Sequence, residues 1–314
     1  MSIALILVGY AVLLGALGIG VLRRAGWVDR APRLGILAWL AVVASMLAAI
    51  VLAGFSLAVP IRWVSGDLAE LLRACVMALR AQYATPGGTV VGVVGAVLAV
   101  TVLTRIAFCL VATVAEAGAL RRRHRRVLAM IGRHDRGLDA IVVDHDVPAA
   151  YCLPGRPAQV VVTSTALADL AADEIDAVLA HERAHLRGRH HLLTVAVVGL
   201  ARAFPFVPTF LVARAEVDRL VELIADDAAT RCCSRLAVAD ALLTVAAPAP
   251  AGALGAGGSS TADRIRRLIG PGGRLSWRQR LVGVFAVAVL FAVPVLIAVG
   301  PAVAATQLTY CPVA

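Results

Sequence analysis

Four long apolar blocks dominate the pattern of hydrophobic and polar positions along the chain. They cover roughly residues 3–21, 34–59, 89–115 and 281–304, and Arg105 interrupts the third. A helix needs about 20 apolar residues to cross the hydrocarbon core of a bilayer. The first block is not preceded by the basic segment that is typical of a cleaved signal peptide. The pattern therefore predicts four transmembrane helices.

Arginine is concentrated on one side of these blocks. Clusters of arginine follow the first and third blocks and precede the fourth, whereas the loop over residues 61–88 has few. Because basic residues mark the cytoplasmic side, we expect this loop outside, residues 117–280 inside and a short tail over residues 305–314 outside. Residues 1–116 then contain the first three spans, with the N-terminus outside. The net charge of +10 reflects membrane topology, so nucleic-acid binding is not expected.

The segment over residues 117–280 is long enough to build one core. We expect a basic helix over residues 120–131, short strands with Pro-Gly turns over residues 139–163, and helices over residues 172–188 and 214–235. The predicted fold class is mainly α, a multi-pass membrane protein with a cytoplasmic α+β domain. A mean hydropathy of +0.86 agrees with an integral membrane protein.

Candidate chemistry lies in the stretch AVLAHERAHLRGRHH, which begins at Ala177. His181 and His185 are four residues apart, so on a helix they point to one place. This is the H-E-x-x-H spacing of zinc peptidases, in which Glu182 would take the proton from a metal-bound water. The alternative interpretation is a solvated polar helix end. A catalytic zinc ion keeps three protein ligands, so a third must come from elsewhere.

The best candidate for the third ligand is Glu222, in the stretch RLVELIADDAAT. Asp226 lies one helical turn later and is placed to hydrogen-bond a ligand imidazole. Glu216 competes, but no acidic residue stands four positions after it. The alternative interpretation is a solvated acidic stripe of Asp218, Glu222 and Asp226.

The apolar run over residues 192–212 is a fifth hydrophobic segment. It is too short for two spans, and a single span would put His185 and Glu222 on opposite sides of the membrane. It is therefore predicted to form a buried or membrane-hugging hairpin, with its turn near Pro205 and Pro208.

His190 and His191 follow the zinc motif closely. On one continuous helix His190 would lie five residues, or about 140°, beyond His185. Both histidines are therefore expected at an exposed helix end or near lipid phosphates.

At these residues the chain resembles a known family. H-E-R-A-H at residues 181–185, then Glu222 and Asp226, with three spans before and one after, is similar to the BlaR/MecR-type membrane zinc metallopeptidases. These proteins transduce the signal for β-lactam resistance in bacteria. The chain is more distantly similar to heat-shock and CAAX-prenyl membrane proteases. The resemblance covers about residues 1–305 and is specific in the zinc helix.

The resemblance implies a gluzincin-like cytoplasmic domain in a bacterial cell membrane. It implies one Zn²⁺ per chain on His181, His185 and Glu222, with Glu182 catalytic. It also implies a protein substrate, either a winged-helix repressor or the peptidase itself, and it leaves a homodimer open. Antibiotic-sensing members carry a penicillin-binding domain after the last span. Here only about ten residues follow Ala304, so the chain looks like a short form without that sensor.

Three functions compete on this evidence: regulatory proteolysis, quality control of membrane proteins, and a non-catalytic membrane scaffold. The intact Glu182 argues against the scaffold, because a dead site has no need of a base. A neighbouring gene for a winged-helix repressor would favour regulation.

The remaining expectations concern residues away from the zinc helix. The edge of the strand over residues 159–163 either pairs with an extended substrate or belongs to an ordinary core strand. The flexible, arginine-rich segment over residues 247–280 is either a self-cleavage site or a linker that binds anionic lipid. A disulfide between Cys75 and Cys311, both expected outside, is a further candidate. Three arginines are candidate oxyanion donors, with a surface charge as the alternative for each: Arg214, Arg219 and Arg231.

Overall fold

The computed structural model describes residues 2–59, 87–245, 261–270 and 275–308, with a few isolated residues between these ranges. The candidate disulfide between Cys75 and Cys311 lies outside the described residues. The elements are, in chain order, α1 (Ser2–Arg24), α2 (Trp27–Arg30), α3 (Pro32–Ala58), α4 (Gly88–Ile131), β1 (Arg133–Asp135), β2 (Ala140–Val143), β3 (Ala150–Leu153), β4 (Gln159–Thr163), α5 (Ser164–Asp169), α6 (Ala172–Arg187), α7 (His190–Ala203), α8 (Pro208–Ala229), α9 (Arg235–Thr244), α10 (Thr261–Ile269) and α11 (Trp277–Leu308).

Four of these helices are long and apolar enough to cross a membrane, which indicates a membrane protein. They are Ile3–Arg24, Pro32–Ala58, Gly88–Ile131 and Trp277–Gly300. The third has 44 residues and continues without a break through the basic helix expected over residues 120–131. That helix is therefore not a separate element, because α4 contains no proline that would end it. At 1.5 Å per residue α4 is about 66 Å long, roughly twice the hydrocarbon thickness of a bilayer.

Helix α3 lies at the centre of the helical bundle, against α1, α4, α8 and α11. Its crossing with α4 depends on two glycines. A Cβ atom at Gly54 would lie 2.7 Å from the carbonyl oxygen of Gly95, and one at Gly95 would lie 2.6 Å from that of Gly54. Small residues allow such close backbone contact where helices pack within a bilayer.

The apolar run over residues 192–212 forms a helical hairpin, as predicted. Helix α7 ends at Ala203, and α8 begins at Pro208, a position where a missing N–H costs little. Because of this proline, α8 starts six residues before the predicted helix over residues 214–235. Arg105 of α4 donates to the carbonyl oxygen of Ala203 at 2.5 Å, which satisfies an open acceptor at the end of α7.

The four strands form one sheet in the order β1-β2-β4-β3. Strand β4 pairs in parallel with β2 and antiparallel with β3, so both of its edges are occupied. The expectation that an edge over residues 159–163 pairs with substrate is wrong, and β4 is the core strand of the alternative interpretation. Val160 and Val162 pack toward α6, and Val161 packs toward the end of α4. The sheet thus fixes α6, which carries the H-E-x-x-H stretch, above β3 and β4.

Candidate metal centre

Three buried or half-buried side chains from two helices meet at one point. His181 and His185 lie one turn apart on α6, and Glu222 reaches them from α8. The Nε2 atoms of the two histidines are 3.1 Å apart. The carboxylate oxygens of Glu222 lie 3.4 Å from Nε2 of His181 and 3.5 Å from Nε2 of His185. These three residues form a group that could hold a metal ion.

The separations match what a tetrahedral zinc ion requires. Zinc bonds to nitrogen and oxygen of 2.0–2.1 Å put neighbouring ligand atoms about 3.3 Å apart in a tetrahedron. The three separations in the structure lie within a few tenths of an ångström of that value. The donor set of two imidazoles and one carboxylate is also one that zinc prefers in catalytic sites. The residues present therefore fit a zinc ion.

His181 is oriented by the acidic residue that follows Glu222 by one turn. Oδ1 of Asp226 lies 3.1 Å from Nδ1 of His181, and the Asp226 side chain is fully buried. When this ring is neutral, a proton on Nδ1 leaves the lone pair of Nε2 on the side of Glu222. Asp226 therefore stands where the sequence predicts a partner for a ligand imidazole. The solvated acidic stripe is wrong for Glu222 and Asp226, which point inward.

His185 is oriented by His190, and here the sequence-based expectation is wrong. His190 is buried, and its Nδ1 lies 3.1 Å from Nδ1 of His185. The helical-wheel argument fails because α6 ends at Arg187 and the chain then turns through Arg189, whose φ of 50° is left-handed. This turn brings the first residue of α7 back over α6. A Cβ atom at Gly188 would collide with the His190 ring, so the turn needs glycine there.

Arg264 is a further residue of the centre. It comes from a segment that the sequence predicts to be flexible. Residues 261–269 form α10, and the side chain of Arg264, near the middle of this helix, is buried. Its guanidinium donates to both oxygens of Asp226, at 2.8 Å and 2.6 Å, and lies 3.1 Å from Oε2 of Glu222. Arg264 is therefore neither a lipid-binding charge nor part of a linker. Residues 246–260 lie outside the described residues.

Glu182 lies beside the three donor atoms and is almost fully buried. Its Oε2 has no hydrogen-bond partner among the described residues. The thiol of Cys152, on β3, lies beside its carboxylate. Burial raises the pKa of Glu182 to about 7, although the nearby charge of His181 opposes the rise. A carboxylate with such a pKa exchanges protons readily near neutral pH.

The electrostatics of the donors indicate a place for a cation. Burial acts to raise the pKa of Glu222, but hydrogen bonding to His181 and the charges of His181 and Arg264 hold it at about 2. For His181 burial acts downward, but Asp226 and Glu222 raise its pKa to about 10. In the metal-free chain the proton on His181 and the guanidinium of Arg264 thus balance the carboxylates of Glu222 and Asp226. Burial lowers the pKa of His185 to about 3, so that ring stays neutral.

The other candidates from the sequence lie elsewhere. Glu216 pairs with Arg219 and Arg23 and does not approach the two histidines. Arg214 lies 3.9 Å from Asp218. None of the three arginines considered as oxyanion donors is among the residues around the three donor atoms: Arg214, Arg219 and Arg231.

A model of peptidase family M48 matches residues 115–271, which is half of the chain. The matched range contains every residue of the centre described above, including Arg264. The match supports a zinc-peptidase family at this level and does not distinguish the BlaR/MecR type that the sequence resembles. No curated protein and no solved structure matches the chain.

Proposed function

The chain belongs to peptidase family M48, and from that premise we propose that it is a zinc-dependent endopeptidase of a bacterial cell membrane. One observation carries the proposal. Three donor atoms lie 3.1, 3.4 and 3.5 Å from one another, close enough to bind one metal ion, next to a buried carboxylate oxygen that has no hydrogen-bond partner among the described residues. The four apolar helices support the membrane location.

In this proposal His181, His185 and Glu222 hold the ion. Zinc bound there supplies a Lewis acid that polarises the scissile carbonyl and lowers the pKa of water. Glu182 removes a proton from the attacking water as its oxygen adds to the carbonyl carbon. Glu182 then gives that proton to the leaving nitrogen as the C–N bond breaks. General acid–base catalysis of this kind contributes about 10²–10⁴-fold to the rate.

We further propose that the site faces the cytoplasm and performs regulatory proteolysis, on a cytoplasmic repressor or on the chain itself. The resemblance in the zinc helix and the placement of arginine support this. A structural contact also supports the cytoplasmic location of the site, because it joins the site to the arginine-rich connector between the first two apolar helices. Arg219, three residues before Glu222, lies 2.7 Å from Asp29 in the connector between the first two apolar helices. The backbone oxygen of Asp29 also accepts from Arg267 of α10, so the connector contacts both helices that complete the metal centre.

The test compares protein N-termini in cells that express the wild-type chain, Glu182→Gln and the control Asp176→Asn. Asp176 is an exposed carboxylate on the same helix. We expect new N-termini on one or two cytoplasmic proteins, or on the chain itself, with the wild type and the control and none with Glu182→Gln. Many scattered cuts in membrane proteins would instead indicate quality control and contradict regulatory proteolysis. Identical N-termini with all three chains, under several cell-wall stresses, would contradict a peptidase.

A further inference from the structure

A pocket opens directly beside Glu182, between the zinc helix α6, the strand β3 and the helix α9. Among the nine lining residues that the structure describes, only His181 and Glu182 are polar. The other seven are small or aliphatic: Ala150, Ala177, Val178, Val238, Ala241, Leu242 and Val245. A peptide held for attack beside Glu182 would therefore place a neighbouring side chain against an apolar wall.

We propose that this pocket binds a small aliphatic side chain of the substrate, on a residue that flanks the bond to be cut. This inference rests on the proposed peptidase function and adds a substrate class to it. The described residues of the pocket present no free cation or amide, so among them a charged or strongly polar side chain would find no partner other than Glu182. Pairing with Glu182 would occupy the base that the reaction needs.

The size of the cavity limits which aliphatic side chains it can hold. It measures about 30 Å³. One water-sized group takes about 10–15 Å³ on the same measure, so the cavity has room for roughly two to three such groups. Three such groups match the three carbon atoms of a valine side chain, so both alanine and valine fit. A leucine or an aromatic ring exceeds it, because closely packed walls resist the insertion of extra methylene groups.

The wall that sets this size is a face of α9. Val238, Ala241 and Leu242 are buried on this face. Val238 and Leu242 pack with residues of α6 and α10 in one apolar cluster, so the wall is held from both sides. Leu243, the next residue, is 63% exposed and points away from the pocket. Leu242 and Leu243 thus form a matched pair for substitution.

The experiment uses the purified full-length chain in detergent, loaded with zinc, and a peptide library randomised on both sides of the cut. Wild type is compared with Leu242→Ala, which enlarges the pocket, Ala241→Val, which narrows it, and the control Leu243→Ala. Glu182→Gln identifies cuts that do not come from this site. The readout is the residue preference at each position flanking the cut, together with kcat/KM for matched alanine, valine and leucine peptides.

We expect the wild type to prefer alanine or valine at one flanking position over leucine and phenylalanine by at least about tenfold in kcat/KM, since one methylene group in such a pocket is worth about 10–200-fold. Leu242→Ala should shift the preference to leucine, Ala241→Val should restrict it toward alanine, and Leu243→Ala should leave it unchanged. A wild-type preference for charged or aromatic residues at both positions overturns the proposal, even if one variant fails to fold. Unchanged preferences in both pocket variants also overturn it, with the peptidase function intact. A wild type that makes no Glu182-dependent cut contradicts the peptidase function itself.

Discussion

Substitution of Arg264 by methionine tests whether a buried ion pair holds the metal centre together. The Arg264 side chain is 5% exposed and its partner Asp226 is 1% exposed. Methionine keeps much of the volume, so the main effect is to remove the guanidinium that Asp226 and Glu222 share. Removing one partner of a buried pair typically costs about 3–5 kcal/mol, because the other charge stays buried and uncompensated. We expect a loss of that size in the free energy of unfolding of the metal-free chain.

The assay is denaturant unfolding of the detergent-solubilised chain in the presence of a chelator. The control is Arg266→Met, two residues away on α10, where the arginine is 74% exposed and pairs with the exposed Asp263. An exposed pair contributes about 0–1 kcal/mol, so this variant should unfold almost like wild type. In the background of Asp226→Asn, Arg264→Met should cost clearly less than alone, because the pair is already broken. Equal losses for Arg264→Met and Arg266→Met would refute the role given to the buried pair.

Three further predictions concern the same centre. First, the pKa of Glu182 is raised in the folded chain from 4.5 to about 7, so the native state binds more protons and its stability falls as pH rises through this window. Glu182→Gln should therefore stabilise the metal-free chain by about 3 kcal/mol above pH 7 and by almost nothing below pH 4.5. A difference in the free energy of unfolding between variant and wild type that does not change with pH would exclude this. Second, His190→Ala should weaken zinc binding about 10–100-fold in a competition titration, because His185 loses the partner that orients it. The neighbouring His191→Ala should leave zinc affinity unchanged, and equal effects of the two would contradict the assignment. Third, Gly188→Ala should lower zinc affinity, as His190→Ala does, because the added methyl group displaces the His190 ring. A wild-type zinc affinity in Gly188→Ala would show that the turn tolerates a side chain.

The parts of the centre that the sequence predicts depend on short-range spacing. Residues four apart share a helix face, so the placement of His181 with His185 and of Glu222 with Asp226 follows from two local patterns. The hairpin over residues 192–212 follows from a topological requirement, since the two patterns must lie on one side of a membrane. The four apolar helices follow from length and composition alone.

The parts that the sequence misses depend on contacts far apart in the chain or on a single backbone angle. His190 enters the centre through the left-handed turn at Arg189, which a helical wheel does not contain. Arg264 lies 38 residues after Asp226, on a nine-residue helix that directly follows the Pro/Gly/Ser-rich residues 247–260. Strand β4 is interior because β2 and β3 pair with it from both sides, and strand order is not encoded in the pattern of one strand. The contact of Cys152 with Glu182 likewise depends on sheet geometry.

The most direct test of the proposed metal centre is the zinc content of the purified full-length chain and of two carboxylate variants. Glu222→Gln removes the proposed third ligand. Glu216→Gln removes the competing candidate, which is bound instead to Arg219 and Arg23. We predict one zinc ion per chain in the wild type and in Glu216→Gln, and a loss of bound zinc in Glu222→Gln. Zinc retained in Glu222→Gln but lost in Glu216→Gln, or no stoichiometric zinc in the wild type after loading, would contradict the site.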